Sequence, residues 1–530
     1  MGAYLNPGNE KFAQCINSEI YVDKTGLIRY CNRVINSLQK YICMSRPRRF
    51  GKSVTADMLT AYYSRGCDSR GLFEKCEIAR DEQGAKHMNQ YNVLFLNMQE
   101  FLSRTNSMEN MLDLLKNRTV RDLTKEYPDV DYYDKKNLAG CMQDIYDEVK
   151  IPFIFIIDEW DCIFREYKSD SDSQKMYLDF LRDLLKDKGY IALCYMTGIL
   201  PIKKYGTHSA LNMFDEFSMT FQGALAQYVG FTEDEVKELC LRYHMDFEET
   251  KKWYDGYQLE DVGSIYNPRS VVSAMRFGKF QFYWNQTETF EALRSYIDMN
   301  FEGLKDAVID MMNGRNRISV DVRSFTNDMV TFHSRDDVLT LLVHLGYLGY
   351  LSDTGEVFIP NQEILNEYVT AISNSDWGEV SKALKNSKAA LEAVWNRNET
   401  LVAKAVEEAH FESSYLQYND ENALSYTISL AFYVARNYYT VIKELPTGKG
   451  RADIVYLPRK QFSDRPALLV ELKWNKTAES AIKQIKERRY PKVLEDYSGN
   501  LLLVGINYDE KTKKHTCKIE SHSLSYRGSL

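Results

Sequence analysis

The sequence predicts an α/β protein. It expects a doubly wound parallel sheet, a mainly helical middle with a winged-helix-like hairpin, and a second, smaller α/β domain. Three observations predict this. Over the first 220 residues, short apolar runs alternate with helix-length stretches, the pattern of parallel strands joined by helical crossovers. From about Thr232 the strand-like runs give way to helical periodicity. From about Glu407 the order becomes α-β-β-β-α-β. Domains are therefore expected at 1–225, 226–400 and 401–530.

The elements follow in order. Tyr41 to Ser45 reads as a strand, followed by a helix from about Lys52 to Ser64. Asn92 to Met98 is a second strand. Pro152 to Asp158 is a third, continuously apolar as a strand buried on both faces should be. Tyr190 to Thr197 is a fourth, and Phe217 to Thr220 a candidate fifth. A helix should start after Thr232, an N-cap with Glu235 three residues on, which is a capping box. Residues 344–365 read as a helix end and a β-hairpin. A helix is expected from Glu421 to Asn437, then strands near 440, 453 and 468, a helix from Ala478 to Arg489, and a strand from Leu501 to Ile506.

Composition excludes several classes. The chain is 44% apolar and 27% charged, and its 11 Pro and 27 Gly are too few for a long disordered region. A net charge of −8 rules out a uniformly basic coat for nucleic acid, so any such contact needs a local patch. No apolar run approaches the roughly 18 residues that span a bilayer, so no membrane partner is expected. The start, MGAYLNPGNEKF, has no leader pattern, and Asn6 breaks the myristoylation pattern. The ten cysteines form no C-x-x-C pair and the eight histidines no H-E-x-x-H. Reduced, buried thiols and a cytoplasmic location are the expectation.

Two constellations carry chemistry. Arg46-Pro47-Arg48-Arg49-Phe50-Gly51-Lys52-Ser53-Val54 follows a strand and opens a helix. Gly51, Lys52 and Ser53 match the second half of G-x-x-x-x-G-K-[ST], with Arg46 in place of the first Gly. That chemistry needs backbone N–H groups around a phosphate, a Lys on the β/γ oxygens and a hydroxyl on Mg²⁺. Downstream, four apolar residues lead to Asp158 and Glu159, suited to hold Mg²⁺ and to polarise a water. Thr197 reads either as a γ-phosphate contact or as a satisfied strand-end hydroxyl. Arg46, Arg48 and Arg49 could touch phosphate or pair with Asp158, Glu159 and Asp161.

With YVDKTGLI (21–28), SRPRRFGKS (45–53), FIIDEWD (155–161), MTGILPI (196–202), WYDGY (253–257) and IYNPRSVV (265–272), about the first 290 residues resemble the bacterial AAA-ATPase-like family. The resemblance implies that R-P-R-R-F-G-K-S is itself the phosphate loop, that ATP is the ligand, and that Asp23 and Lys24 lie near the nucleotide. From the residues alone, those two are equally a turn. WYDGY and YNP are expected to close a lid region, mostly by packing.

Near the C-terminus Asp453 edges one strand, and Glu471 and Lys473 lie two apart on the next, hence on one face. The seventeen intervening residues allow a strand, a turn and a paired return. Two carboxylates and an ammonium at one point suit Mg²⁺- or Mn²⁺-assisted attack on a phosphodiester. This set resembles the PD-(D/E)xK nuclease superfamily, with Ala452 where the motif name has Pro. The resemblance implies further roles for Glu421, an acidic helix residue, and for Gln484 and Tyr490, which match Q-x-x-x-x-x-Y. For Glu421 and Tyr490 a packing role is as good a reading. Between Thr440 and Val493, thirteen Lys and Arg face six Asp and Glu, a basic island. Arg459, Lys460, Lys476, Lys483, Lys486, Arg488, Arg489 and Lys492 could track a nucleic-acid backbone, or form a solvated face.

The expected whole is a nucleotide-binding ATPase coupled to a metal-dependent nuclease acting on DNA or RNA, in defence or mobile-element biology. The alternative is a nucleotide-dependent switch whose C-terminal domain binds nucleic acid or protein without cutting. Oligomeric state stays open.

Overall fold

A computed structural model describes residues 2–81, 86–202, 211–221, 223–259, 262–284, 291–299, 301–312, 317–327, 329–374, 377, 379–412, 427–447, 450–459, 462–487 and 500–523. The chain forms two compact units. One comprises Met1–Thr289 and Met299–Asn366, the other Phe290–Asp298 and Glu367–Leu530.

The first unit is built on five strands, β1 (Tyr41–Ser45), β2 (Asn92–Asn97), β3 (Phe153–Asp158), β4 (Ile191–Gly198) and β5 (Asp215–Phe217). They are all parallel, in the order β2-β3-β4-β1-β5. β1, β3 and β4 are buried at every residue, because helices cover both sheet faces. The crossovers include α1 (Lys52–Tyr63), α2 (Met108–Glu126), α3 (Leu138–Val149) and α4 (Ser171–Leu185). Side chains cap three of them: Ser107 accepts from Asn110 N–H, Asn137 from Gly140 N–H and Asp170 from Ser173 N–H. The four apolar runs form strands where expected. The fifth lies at 215–217, not 217–220, because Ser218 N–H bonds the Phe221 carbonyl at 2.6 Å and closes a turn there.

The rest of this unit packs a small sheet and helices. β6 (Phe231–Thr232), β7 (Tyr257–Leu259) and β8 (Gly263–Tyr266) pair antiparallel in the order β6-β8-β7. α5 (Glu233–Tyr243) starts at the expected capping box, with Glu235 N–H on Thr232 Oγ1 and Thr232 N–H on Glu235 Oε2. α6 (Pro268–Phe277) is capped by Asn267. Trp253, Tyr254, Tyr266, Val271 and Tyr283 share one apolar core, which accounts for the first two aromatics of WYDGY and for the tyrosine of IYNP. α7 (Glu291–Ile297) belongs to the other unit. β9 (Ile318–Ser319), β10 (Gly349–Leu351) and β11 (Glu356–Phe358) form an antiparallel sheet that contains the expected hairpin. α8 (Gln362–Ser373) then carries the chain across the division at 366/367.

The second unit holds α9 (Glu379–Trp395), α10 (Glu399–Glu412), β12 (Tyr439–Thr447), β13 (Gly450–Pro458), β14 (Ala467–Trp474), α11 (Ala478–Glu487), β15 (Asn500–Asp509) and β16 (Lys514–Ser523). The sheet runs β12 to β16 in sequence, and only β14 and β15 are parallel. A parallel pair needs a crossover, and α11 supplies it by laying Ile482 and Ile485 on Leu469, Leu501 and Leu503. The helix expected over 421–437 is not continuous: 413–426 lie outside the described residues, and Tyr433–Asn437 is a 3₁₀ turn. The sheet also has a strand, β16, that the pattern did not predict. All ten cysteines are free, and no described helix is long and apolar enough to cross a membrane.

Candidate functional site

After β1 the chain turns over the C-terminal edge of its own sheet before α1 begins. The turn uses two left-handed residues, Arg49 at φ +68° and Gly51 at φ +94°. Gly adopts that region freely, whereas Arg does so only where neighbours hold it. Arg49 Nη1 donates to the carbonyls of Tyr283 (3.1 Å) and Trp284 (2.6 Å). Phe50 is buried, edge-on to Tyr257. Asn267 Nδ2 donates to the Arg48 carbonyl at 3.3 Å, so YNP touches the loop directly. Pro47 lies so close to Gly346 that a Cβ on the glycine would come within 2.7 Å of it. The loop is thus braced from outside at four consecutive residues.

Lys52 opens α1 and donates to the carbonyls of Arg46 and Pro47, both at 2.9 Å. Burial pulls its pKa down, against the charges of Glu159, Asp161 and Asp158. Arg48, Arg49, Gly51, Lys52, Ser53, Val54, Glu159 and Arg269 are among the residues lining an open groove of about 620 Å³. With the α1 N-terminus, these cations suit a polyphosphate. Arg46 does not face this groove. Its guanidinium is fully buried, donates to the Ser45 and Phe217 carbonyls, and burial brings its pKa down to about 10.

β4 lies between β1 and β3, which sets Thr197 beside Met44. Thr197 Oγ1 donates to Asp158 Oδ1. Ser53 Oγ donates to Asp158 Oδ2 at 2.8 Å, and Asn97 Nδ2 to the same oxygen at 3.3 Å. Two residues chosen from sequence, Ser53 and Thr197, therefore meet on the carboxylate of a third, Asp158, and the structure adds Asn97, whose only signal is that it ends the run NVLFLN. A hydroxyl and a carboxylate in contact form a hard oxygen donor set of the kind Mg²⁺ prefers. Glu159, itself left-handed at φ +56°, is ion-paired by Arg165, whose Nε also lies 3.4 Å from Asp161. Asp161 Oδ2 accepts from the N–H groups of Ile199 and Leu200. Arg165 was missed, although it sits four residues after Asp161 on one short helix.

On the far side of Gly51, Val54 and Pro268, a cavity of about 180 Å³ is lined by Phe12, Tyr21, Phe50, Met58 and Phe231, among others. Its walls are largely apolar, as a flat aromatic ligand requires. Lys24 also lines it, with Nζ bound to Glu235 Oε2 at 2.6 Å and to the Gln227 carbonyl at 2.8 Å. Asp23 builds the turn before it, accepting from the N–H groups of Thr25 and Glu77.

In the second unit, Ile454 pairs with Val470, so Asp453 stands one step further along, opposite Glu471. Asp453 Oδ2 accepts the Leu472 N–H at 2.7 Å. Glu471 is 1% exposed and Lys473 6%. Lys473 Nζ donates to Glu471 Oε1 at 2.9 Å, and Gln484 Nε2, reaching down from α11, donates to the same oxygen. Gly505 pairs with Glu471 across the parallel strands, and a Cβ there would lie 2.4 Å from the Ala478 carbonyl. That close approach lets α11 deliver Gln484. The two carboxylates fit a hard divalent ion, although among the described residues no three His, Cys, Asp or Glu form a metal cluster. Glu421 and Tyr490 lie outside the described residues, as do Lys460, Arg488, Arg489 and Lys492. Of the basic island, Arg459 turns inward, 6% exposed, and donates to the Arg436 carbonyl at 2.6 Å. Lys486 pairs with Glu520.

Comparison with known proteins finds a family match in each part of the chain. Residues 7–207 match a family model described as predicted AAA-ATPase, and residues 420–518 match the PD-(D/E)XK nuclease superfamily. A curated relative, the uncharacterized protein in the vnfD 5′ region of Azotobacter chroococcum, is 23% identical over 278 residues. That match covers 51% of each chain, so the chain spans about half the length of this relative. Similar solved structures include a Walker-type ATPase of Pyrococcus abyssi, at 15% identity and a TM-score of 0.35, covering 65% of this chain and 95% of that one. Another is the ORC2 protein of Aeropyrum pernix, at 12% identity and a TM-score of 0.29, covering 67% and 96%.

Proposed function

We propose that the AAA-ATPase-like unit binds and hydrolyses Mg²⁺-ATP, and that the nuclease-superfamily domain hydrolyses phosphodiester bonds of nucleic acid, DNA or RNA. In this reading the cation-lined groove takes the phosphates and the apolar cavity beside it takes the base. Ser53 and Asp158 would hold Mg²⁺, and Asp453 and Glu471 would hold Mg²⁺ or Mn²⁺. A bound ion supplies charge neutralisation at a phosphate and a more acidic water. Lys52 exchanges its two carbonyl partners for phosphate oxygens. Glu159 accepts a proton from the attacking water once it leaves Arg165. Lys473 steadies charge that builds on the scissile phosphate. The three-part division at 225/226 and 400/401, a cytoplasmic location, supported by ten free thiols, and a role in defence or mobile elements belong to the same proposal.

The observation that carries it is Glu471. This buried carboxylate is bound by both Lys473 and Gln484 and faces Asp453, an arrangement no surface salt bridge needs. The test is cleavage of labelled single- and double-stranded DNA and RNA with Mg²⁺ or Mn²⁺, with and without ATP. Cutting by the wild type is expected to fall at least a hundredfold in both Asp453→Ala and Lys473→Ala. Intact ATP binding with no cutting of any substrate would favour the switch reading instead.

A further inference from the structure

The brace on the phosphate loop leads to a residue that no motif marks. The peptide joining Tyr283 and Trp284 is held at both ends. On its carbonyl side Arg49 Nη1 binds the Tyr283 oxygen at 3.1 Å and the next carbonyl, of Trp284, at 2.6 Å. On its amide side Glu363 Oε1 accepts the N–H groups of Tyr283 (2.6 Å) and Trp284 (2.8 Å). The other Glu363 oxygen accepts the Ser270 hydroxyl at 2.7 Å. A cation, one peptide and an anion thus form a hydrogen-bonded chain, in which each bond polarises the next. Arg49 is at once a wall of the phosphate groove and one end of that chain.

We infer that Glu363 is a positioning residue for the nucleotide site: through the Tyr283–Trp284 peptide it fixes Arg49 in its left-handed conformation over the phosphates. The inference rests on the nucleotide reading of the groove. Glu363 is 1% exposed, and its three acceptor bonds leave the ionised form well satisfied. Burial nevertheless raises its pKa to about 7, against the bonds from Ser270, Tyr283 and Trp284 and the charge of Arg49. Among the described residues, Arg49 is a charged group facing it. Tyr254, Tyr257 and Tyr283 around it are all pushed above the ordinary tyrosine range, chiefly by burial, so they stay neutral where Glu363 titrates. When Glu363 gains a proton it loses part of its acceptor capacity, and the chain to Arg49 slackens.

The experiment titrates the full chain with a fluorescent ATP analogue and Mg²⁺ between pH 6 and 8. At pH 8, Glu363→Gln is expected to weaken binding about tenfold, the loss of one charge-assisted hydrogen bond. Toward pH 6 the ratio to wild type should approach one, because wild-type Glu363 is then protonated as well. In an Arg49→Met background, adding Glu363→Gln should change affinity by less than about twofold, since the chain is already cut. If Glu363→Gln fails to fold, Glu363→Asp serves, with a smaller loss that also vanishes toward pH 6. A ratio independent of pH, or losses that simply add, would overturn the assignment while leaving ATP binding intact. A wild type that binds no analogue, or a Lys52→Ala variant that binds as well as wild type, would overturn the nucleotide reading and this one together.

Discussion

Asp158 accepts from Ser53, Thr197 and Asn97, which arrive from the start of α1 and from the ends of β4 and β2. Ser53 and Asp158 were legible in the sequence because their chemistry is a matter of residue type and local spacing. The same holds for Glu471 and Lys473, two apart on one strand. Glu363 was not legible: its partners Ser270 and Trp284 lie 93 and 79 residues away, and nothing local distinguishes it from a helix-start glutamate. Arg46 misled for the opposite reason, since its place in the loop says nothing about its side chain pointing into the core. A histidine pair gives a pH prediction. His410 and His515 meet ring to ring, Nδ1 to Nε2 at 3.1 Å, with Tyr508 beside both. Burial lowers them to about 4 and about 3. An unfolded histidine titrates near 6.5, so below that pH the unfolded chain binds more protons than the folded one. Their contribution is complete above about pH 6.5 and is lost as pH falls toward 4 and 3. Urea midpoints should therefore drop from pH 7.5 to pH 5, and drop less in a His410→Asn/His515→Asn variant. The ceiling at pH 5 is about 2 kcal/mol per fully buried ring, and half-buried His410 contributes less.

Among elements, α11 over β14 and β15 governs the second site. Its seat depends on Gly505, where a methyl group would press on the Ala478 carbonyl, a backbone atom that cannot swing aside. Gly505→Ala should cost about 2 kcal/mol in urea unfolding. It should also slow cleavage, because lifting α11 withdraws Gln484 from Glu471; full nuclease activity in a destabilised variant would separate the helix from the chemistry. The capping box of α5 was readable, since its two bonds join residues three apart. β16 was not, because KHTCKIESHS mixes charged, polar and apolar residues as an edge strand does, and its partner β15 supplies the missing hydrogen bonds. β5 shifted by two residues for a similar reason: pairing with Ile42 to Met44 chose the register, and the turn at Ser218 ended it.

At the scale of the molecule, nucleotide should stabilise one unit and not the other. Mg²⁺-ATP at about a hundred times its dissociation constant adds about 2.7 kcal/mol to whatever binds it. Calorimetry of the full chain should show one transition moving up and another staying put, with neither moving in Lys52→Ala. Equal shifts of both in the wild type would contradict a site confined to the first unit. Changes of pattern near Thr232 and Glu407 are legible because periodicity is local, but compactness is not. The units part at 366/367, and residues 290–298 join the later one. That exchange bears on how the protein is made. Leu293, Tyr296 and Ile297 of α7 are buried, and Trp377 Nε1 donates to Asp298, 79 residues earlier, at 2.8 Å. A ribosome adding roughly 5–20 residues per second needs several seconds to deliver that partner. During synthesis Asp298 at the end of α7 therefore waits that long for the Trp377 indole that ties it into the later unit.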